Sequence, residues 1–517
     1  MTNYVDRIAK GTVIVFAMLI LSGFVGYLLR MFLARNLSVA EYGLFYAVFM
    51  FISLFGLFRD IGLNQAIVKF IPEFLVKKEF SRIKSSIVIS VLIQSFLSLV
   101  IISVLLYFSN ALALSFFKNP AATGIITTLL IFFLVQMFFQ LFKFTFQGFQ
   151  NMKLFAFSEF LYILFVFLSV IFLFALFGPS PINVAYGYLI GTSIVSAICF
   201  LSLVKIFPRF FGEKIQIDKN LTKKLFFFAL PVLITGIANL IIGYTDTICL
   251  TFFRSLEEVG LYQVAMPTAQ VMMYFASALI AVLFPVISEL WTRKNYSFIS
   301  EGLGLLLKFS FILILPAGLI FFSFPEIVIN LLFGSSYLGA VHPLQILSVG
   351  FLFFTLGVIL TTTLNGIGKP VINTKIVFFA AIFNLIANII LVPIYGTVGA
   401  AMTTLASYLI YLLLSDYFLN KEFGRIGIKF KIPYLPLMRT FLGGLITLAI
   451  IFVLKNILII ANPWLEMTVV LIFSFLFYSL WIFYAKCLTI DDLKILGKIN
   501  VPIPDWVIDF VKKMIKQ

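Results

Sequence analysis

The sequence predicts an all-α integral membrane protein of about fourteen transmembrane helices, built as two parallel-repeat six-helix lobes plus two C-terminal helices. Three observations predict it. The 517 residues are 62% hydrophobic and 11% charged, with a mean hydropathy of +1.13. Apolar runs near twenty residues recur along the whole chain, each long enough to cross about 30 Å of hydrocarbon as a helix. Short sequence features of the first half return in the second at a nearly constant separation.

That balance of residues excludes a soluble domain of this size. A net charge of +16 in a soluble protein would suggest nucleic acid; here the charges cluster in connectors and report orientation instead. Cys199, Cys249 and Cys487 sit in or beside apolar spans, with spacing that fits neither a metal site nor a disulfide framework. His342, the only histidine, lies beside Pro343 in a connector, which argues against a histidine proton relay. Arg7 and Lys10 before the first apolar run imitate a signal peptide. That run ends at Arg30 without a small-residue cleavage site, so it reads as a retained first helix.

Taken in order, the first six spans lie near 12–33, 43–71, 86–108, 124–146, 154–177 and 183–207, and form an N-terminal lobe over 1–210. A basic cytoplasmic linker, 211–224, follows. Spans near 225–252, 260–287, 303–323, 343–364, 375–395 and 398–419 make a second lobe over 225–430. Two further spans occupy 431–490. The second and eighth are long enough to require tilting or a break. In the tail, 491–517, Trp506, Phe510 and Met514 share one helical face, as expected of a helix lying on the inner membrane surface.

With the N-terminus inside, 31 of the 37 Lys and Arg fall in inner connectors and tails, and only Arg35, Lys118, Arg254 and Lys455 fall outside. An asymmetry this strong predicts that both termini are cytoplasmic. The linker cluster, Lys205 to Lys224, reads as an orientation signal with attraction to anionic membrane lipid.

The repeat has a separation near 217 residues. Glu41-Tyr42-Gly43-Leu44-Phe45 returns as Glu258-Val259-Gly260-Leu261-Tyr262, Phe70-Ile71-Pro72-Glu73 as Phe284-Pro285…Ser288-Glu289, and Phe146-Gln147-Gly148 as Leu364-Asn365-Gly366. Six spans separate the copies, so both halves have the same orientation, as in repeats related by an axis along the membrane normal. The alignment sets Arg30 of the first span against Thr247 of the seventh, next to Asp246.

Charges inside spans are costly and normally face protein or a wet cavity. Arg30 and Arg59 are the intramembrane cations; Asp60, Glu159 and Asp246 are the acids. Arg59-Asp60 interrupts the second apolar run, just before Gly62, and reads either as a packing pair or as part of a binding site. Asn384 and Asn388, one turn apart, are placed to bond a neighbouring helix. Gly366-Ile367-Gly368-Lys369 lacks the strand and spacing of a phosphate loop.

The text from Glu41 through "DIGLNQAIVKFIPE" to Glu73, with Asn365-Gly366-Ile367-Gly368-Lys369-Pro370 and Leu391 to Ala401 ("LVPIYGTVGAA"), resembles the polysaccharide-biosynthesis (Wzx-type) flippases of the multidrug/oligosaccharidyl-lipid/polysaccharide exporter superfamily. The resemblance implies two lobes that open alternately to each side, moving a polyprenyl-linked (di)phosphate oligosaccharide for cell-surface polysaccharide or glycoprotein glycan assembly. It implies no cofactor beyond coupling to Na+ or H+, no nucleic acid, and partnership with glycosyltransferases or other glycan-assembly proteins in the cytoplasmic membrane.

No catalytic constellation emerges, because the longest outer connector, about 324–342, offers only Glu326 and His342. Transport remains, in two versions. An anionic lipid-linked cargo calls for Arg30 and Arg59, with Asp60 beside them, since guanidinium stays charged and matches phosphate oxygens in pairs. A multidrug or organic-cation antiporter would instead rely on acids. Asp246 is expected either to bind the coupling cation or to close an outer gate against Arg30, unless nearby Tyr244 or Thr247 satisfies it.

Overall fold

The computed structural model describes residues 2–216, 218–273, 283, 287–288, 290–427, 432–458 and 462–488. The described residues form helices and no strands, as lipid requires of a chain that must satisfy its backbone within each span. Eleven of these helices are long and apolar enough to cross a membrane, one of them a fused pair. The amphipathic tail and much of the eighth span lie outside the described residues.

The chain divides into two compact units. The first comprises Met1–Val264 with Asn388–Thr397; the second comprises Ala265–Ala387 and Val398–Gln517. The first unit therefore holds the start of the second repeat as well as the whole of the first, which makes the repeat-related helices directly comparable within one body.

In the first unit α1 (Thr2–Asn36) leads to α2 (Val39–Leu54). Ser38 caps α2: its Oγ accepts from the Glu41 N–H, and the Glu41 carboxylate accepts from the Ser38 N–H in return. The long second span then breaks, as its length requires. α3 (Gly56–Asp60) ends at Ile61 and Gly62, both left-handed (φ 49° and 83°), and α4 (Leu63–Val76) resumes beyond them. Placing Asp60 at a break puts its carboxylate where the restarting helix exposes N–H groups able to bond it.

α5 (Phe80–Tyr107), α6 (Ala122–Gly148), α7 (Met152–Phe177) and α8 (Pro181–Ile206) complete the first six spans. Phe70, Phe74, Phe139, Phe146, Val195 and Leu203 share a buried core at one end of this bundle. The basic linker lies against α5: Lys84 donates to the Glu213 carbonyl at 2.7 Å, and Ser81 to that of Lys214 at 2.7 Å. α9 (Lys219–Phe253) packs against α2, α4 and α5, and α10 (Leu256–Gln270) begins the next span.

In the second unit α11 (Tyr296–Ser323), a short α12 (Pro325–Leu332), α13 (Val341–Gly366), α14 (Pro370–Gly424), α15 (Tyr434–Ile457) and α16 (Pro463–Tyr484) follow. The 55 residues of α14 are two helices fused at Gly396, whose φ of 56° and ψ of −131° are non-helical. Tyr408 stacks on Phe354 at 4.4 Å, and Tyr411 bonds Thr361 at 2.6 Å, seaming α14 to α13. α15 and α16 pack together, with Trp481 Nε1 donating to the Arg439 carbonyl at 2.9 Å.

Candidate functional site

The site lies in the first unit, where α1 and α2 of the first repeat meet α9 and α10 of the second. The crossing is made by glycine. A side chain at Gly43 would collide with the Leu256 carbonyl; one at Gly260 would collide with the Val39 carbonyl. Positions 43 and 260, and likewise 39 and 256, are repeat equivalents, so the backbones touch symmetrically. Close approach of this kind needs residues without a Cβ.

Beside this crossing sits Arg30. Its guanidinium lies 4.4 Å from the ring centroid of Tyr46, and Nη1 donates to both the backbone carbonyl (3.3 Å) and Oε1 (3.4 Å) of Gln263. The Gln263 amide in turn donates to Thr247 Oγ1 at 2.7 Å. Tyr46, Phe45, Phe49, Tyr188 and Phe132 pack edge to face or tilted around the arginine's aromatic wall. Stacking on such rings is a geometry guanidinium favours, and it leaves the plane's edge available for oxygen acceptors.

One residue before Thr247, Asp246 is buried. Tyr262 donates its hydroxyl to Oδ2, and Asn388 donates Nδ2 to Oδ1 at 2.7 Å. Both of these donors stand on helices other than α9. Asn388 does bond a neighbouring helix, as its position suggested. Arg30 and Asp246 converge on α10 through adjacent residues, Gln263 and Tyr262.

Arg59 and Asp60 lie apart from that convergence. Arg59 is 4% exposed; its guanidinium donates to the Phe133 carbonyl on α6 and sits 4.4 Å from the Phe133 ring centroid, while its Nε is buried without a partner. Asp60 accepts from the Asn64 N–H at 3.0 Å and so caps the restart after the break. Glu159 pairs with Lys143 at 2.7 Å. Among the described residues no group of three His, Cys, Asp or Glu could hold a metal ion, and the three cysteines are free and buried.

Tyr46, Tyr262 and Gln263 were not singled out by residue chemistry. The repeat could have found two of them, because an offset of 217 sets Tyr46 opposite Gln263, and both contact Arg30.

At the turn after α9, Glu258 Oε1 accepts from Arg254 Nε at 2.8 Å, and Oε2 accepts from the Thr397 N–H at 3.1 Å. Arg254 also donates to the Pro393 carbonyl at 3.4 Å. The segment Asn388–Thr397 is therefore anchored at both ends, on Asp246 and on the Arg254–Glu258 pair.

A family model described as polysaccharide biosynthesis protein matches residues 8–291. Over 510 residues the chain is 33% identical to an uncharacterized membrane protein of Methanocaldococcus jannaschii, covering 96% of this chain and 99% of the relative. It is 24% identical to a probable low-salt glycan biosynthesis flippase of Haloferax volcanii, over 50% of this chain and 53% of that one. Its fold is similar to a solved structure of the lipid II flippase MurJ in an inward closed conformation, with a TM-score of 0.73 at 16% identity, over 91% of this chain and 98% of that one. An inward-facing multidrug resistance MATE family transporter of the MOP superfamily gives 0.67 at 16% identity, over 78% of this chain and 95% of that one.

With this family match, the multi-pass helical membrane protein is a transporter of the flippase type rather than an enzyme. The chain belongs to the polysaccharide biosynthesis protein family.

Proposed function

We propose that the protein flips a polyprenyl-linked (di)phosphate oligosaccharide across the cytoplasmic membrane by alternating access, with both termini cytoplasmic. The observation that carries this reading is the charge balance of the site. Arg30 donates to two neutral acceptors, Gln263 O and Oε1, which leave its positive charge uncancelled for a ligand. Asp246, the acid a cationic cargo would need, is buried with Tyr262 and Asn388 on its two oxygens. A phosphate headgroup suits the first and gains nothing from the second.

Asp246 is then the candidate for coupling to Na+ or H+, and Arg59 with Asp60 a candidate second contact for the headgroup. The probable glycan biosynthesis flippase of Haloferax volcanii supports a glycan cargo, and the charge bias of the connectors supports the orientation. The lobes at 1–210 and 225–430, their linker and the final helices are proposed to act as the moving parts, serving glycosyltransferases or other glycan-assembly proteins.

Reconstituted vesicles test the reading directly. Given a fluorescent lipid-linked sugar and, separately, a cationic dye, the protein should move the sugar lipid and ignore the dye. Arg30→Gln should reduce that movement at least about tenfold, the scale of a lost charged contact. Dye movement that survives Arg30→Gln but not Asp246→Asn would establish a cation antiporter instead.

A further inference from the structure

We infer that Gln263 is the positioning residue of the anion site, and that Pro267 makes it one. In a regular helix the carbonyl of residue i accepts from the N–H of residue i+4. Within α10 the residue four beyond Gln263 is Pro267, which has no N–H. The Gln263 carbonyl is thereby freed from its own helix, and Arg30 Nη1 takes it at 3.3 Å. The side chain of the same residue offers Oε1 to the same nitrogen at 3.4 Å.

The amide cannot swing away without loss, because its Nε2 is engaged by Thr247 Oγ1 at 2.7 Å and Gln263 is 5% exposed. Two neutral oxygens from one residue thus fix one nitrogen of the guanidinium. They hold the plane against Tyr46 and cancel none of its charge. A carboxylate at this position would hold the arginine as firmly but neutralise it; a glutamine positions it and leaves the field for the ligand. Position 263 is the repeat equivalent of Tyr46, so the two copies grip one arginine from two sides.

The inference rests on the reading of Arg30 as the anion anchor, and a double-mutant cycle separates the two. The probe is geranylgeranyl diphosphate, titrated onto the purified full chain in nanodiscs, with thermal unfolding measured on each sample. Arg30→Gln should weaken binding at least about tenfold, and Gln263→Met about fivefold, the worth of one positioning hydrogen bond. In the Arg30→Gln background Gln263→Met should cost nothing further. Pro267→Ala restores the intrahelical donor and removes a helix breaker, so it should weaken binding about two- to threefold while leaving or raising the unfolding temperature.

Weaker binding without a lower unfolding temperature is not expected of a packing role. If Gln263→Met weakens binding equally with and without Arg30, or if Pro267→Ala binds like the wild type, the positioning role is overturned although the anchor stands. Should Arg30→Gln itself bind like the wild type, the anchor falls and the positioning role falls with it.

Discussion

The α1–α2 pair and the α9–α10 pair occupy equivalent places in the repeat and share their packing, yet they differ at the residues that make the site. Gly43 and Gly260 make the same backbone contact from opposite sides. Around that shared crossing, position 30 is arginine where 247 is threonine, and 46 is tyrosine where 263 is glutamine. The first copy brings cation and aromatic wall; the second brings the amide, and Asp246 beside it. Duplication supplies a symmetric frame, whereas a transport site needs one end of a ligand held differently from the other. Conserving glycine while diverging at the flanking turns achieves both.

The largest effect should come from breaking the frame itself. Gly43→Leu or Gly260→Leu forces a side chain into a backbone carbonyl, an overpacking cost of about 1–3 kcal/mol or more. Transport by purified protein in vesicles should fall to background for both, and unfolding temperature should drop by similar amounts. Tolerance at one glycine and not the other would show that the crossing is symmetric in position only.

The next test concerns the chemistry laid on that frame. Because Arg30 bonds Gln263 while Asp246 bonds Tyr262 and Asn388, the exchange Arg30→Asp with Asp246→Arg should be as inactive as the worse single variant. Recovery in the double variant would mean that the two side chains pair in another state of the transport cycle. Asp246→Asn alone should alter the dependence of transport on Na+ or pH, measured with imposed gradients.

The capping turns offer a smaller contrast. Ser38 and Glu41 form a reciprocal capping box, and Ser255 and Glu258 stand at the equivalent positions. Only the Ser255 half of the second box is made. The Glu258 carboxylate goes instead to Arg254 and the Thr397 N–H. Glu41→Gln keeps a competent capping residue and should cost under about 1 kcal/mol. Glu258→Gln loses charge-assisted bonds worth about 1.5–3 kcal/mol in total. Hydrogen exchange at the Thr397 amide should accelerate in the second variant and stay unchanged in the first.

These contrasts also mark how far the sequence could be read. The helical class, the intramembrane charges and the repeat follow from hydropathy and spacing, because lipid imposes period and length on every span. The break in the second span was legible from its length and from Arg59-Asp60 before Gly62. The partners of those charges were not. Arg59 turns to a backbone carbonyl on α6, which no side-chain pattern encodes. Gln263 acts partly through a carbonyl freed by Pro267, a feature visible in sequence only once Arg30 is known to be near. Nor did residue spacing point to the neutral donors Tyr262 and Asn388, which reach Asp246 from other helices.

The smallest effect is expected at Glu73, at the far end of the first copy; its counterpart, Glu289, lies outside the described residues. Glu73 accepts from Lys77 at 2.9 Å and from Lys224 at 3.0 Å, joining α4 to α9. Lys224 also lies 4.6 Å from the Phe70 ring centroid, so the contact combines charge with aromatic packing. The hydrogen bonds from Lys77 and Lys224 hold the Glu73 carboxyl below the usual glutamate range. A depressed acid contributes stability above its unfolded-state pKa and loses it as pH falls through the folded one. Glu73→Gln should therefore lower stability slightly at neutral pH, by less than about 1 kcal/mol because the pair is partly exposed and screened. That difference should vanish once the pH falls below the glutamate range, and high salt should shrink it at neutral pH. A difference that persists in acid would assign the effect to packing on Phe70 rather than to charge.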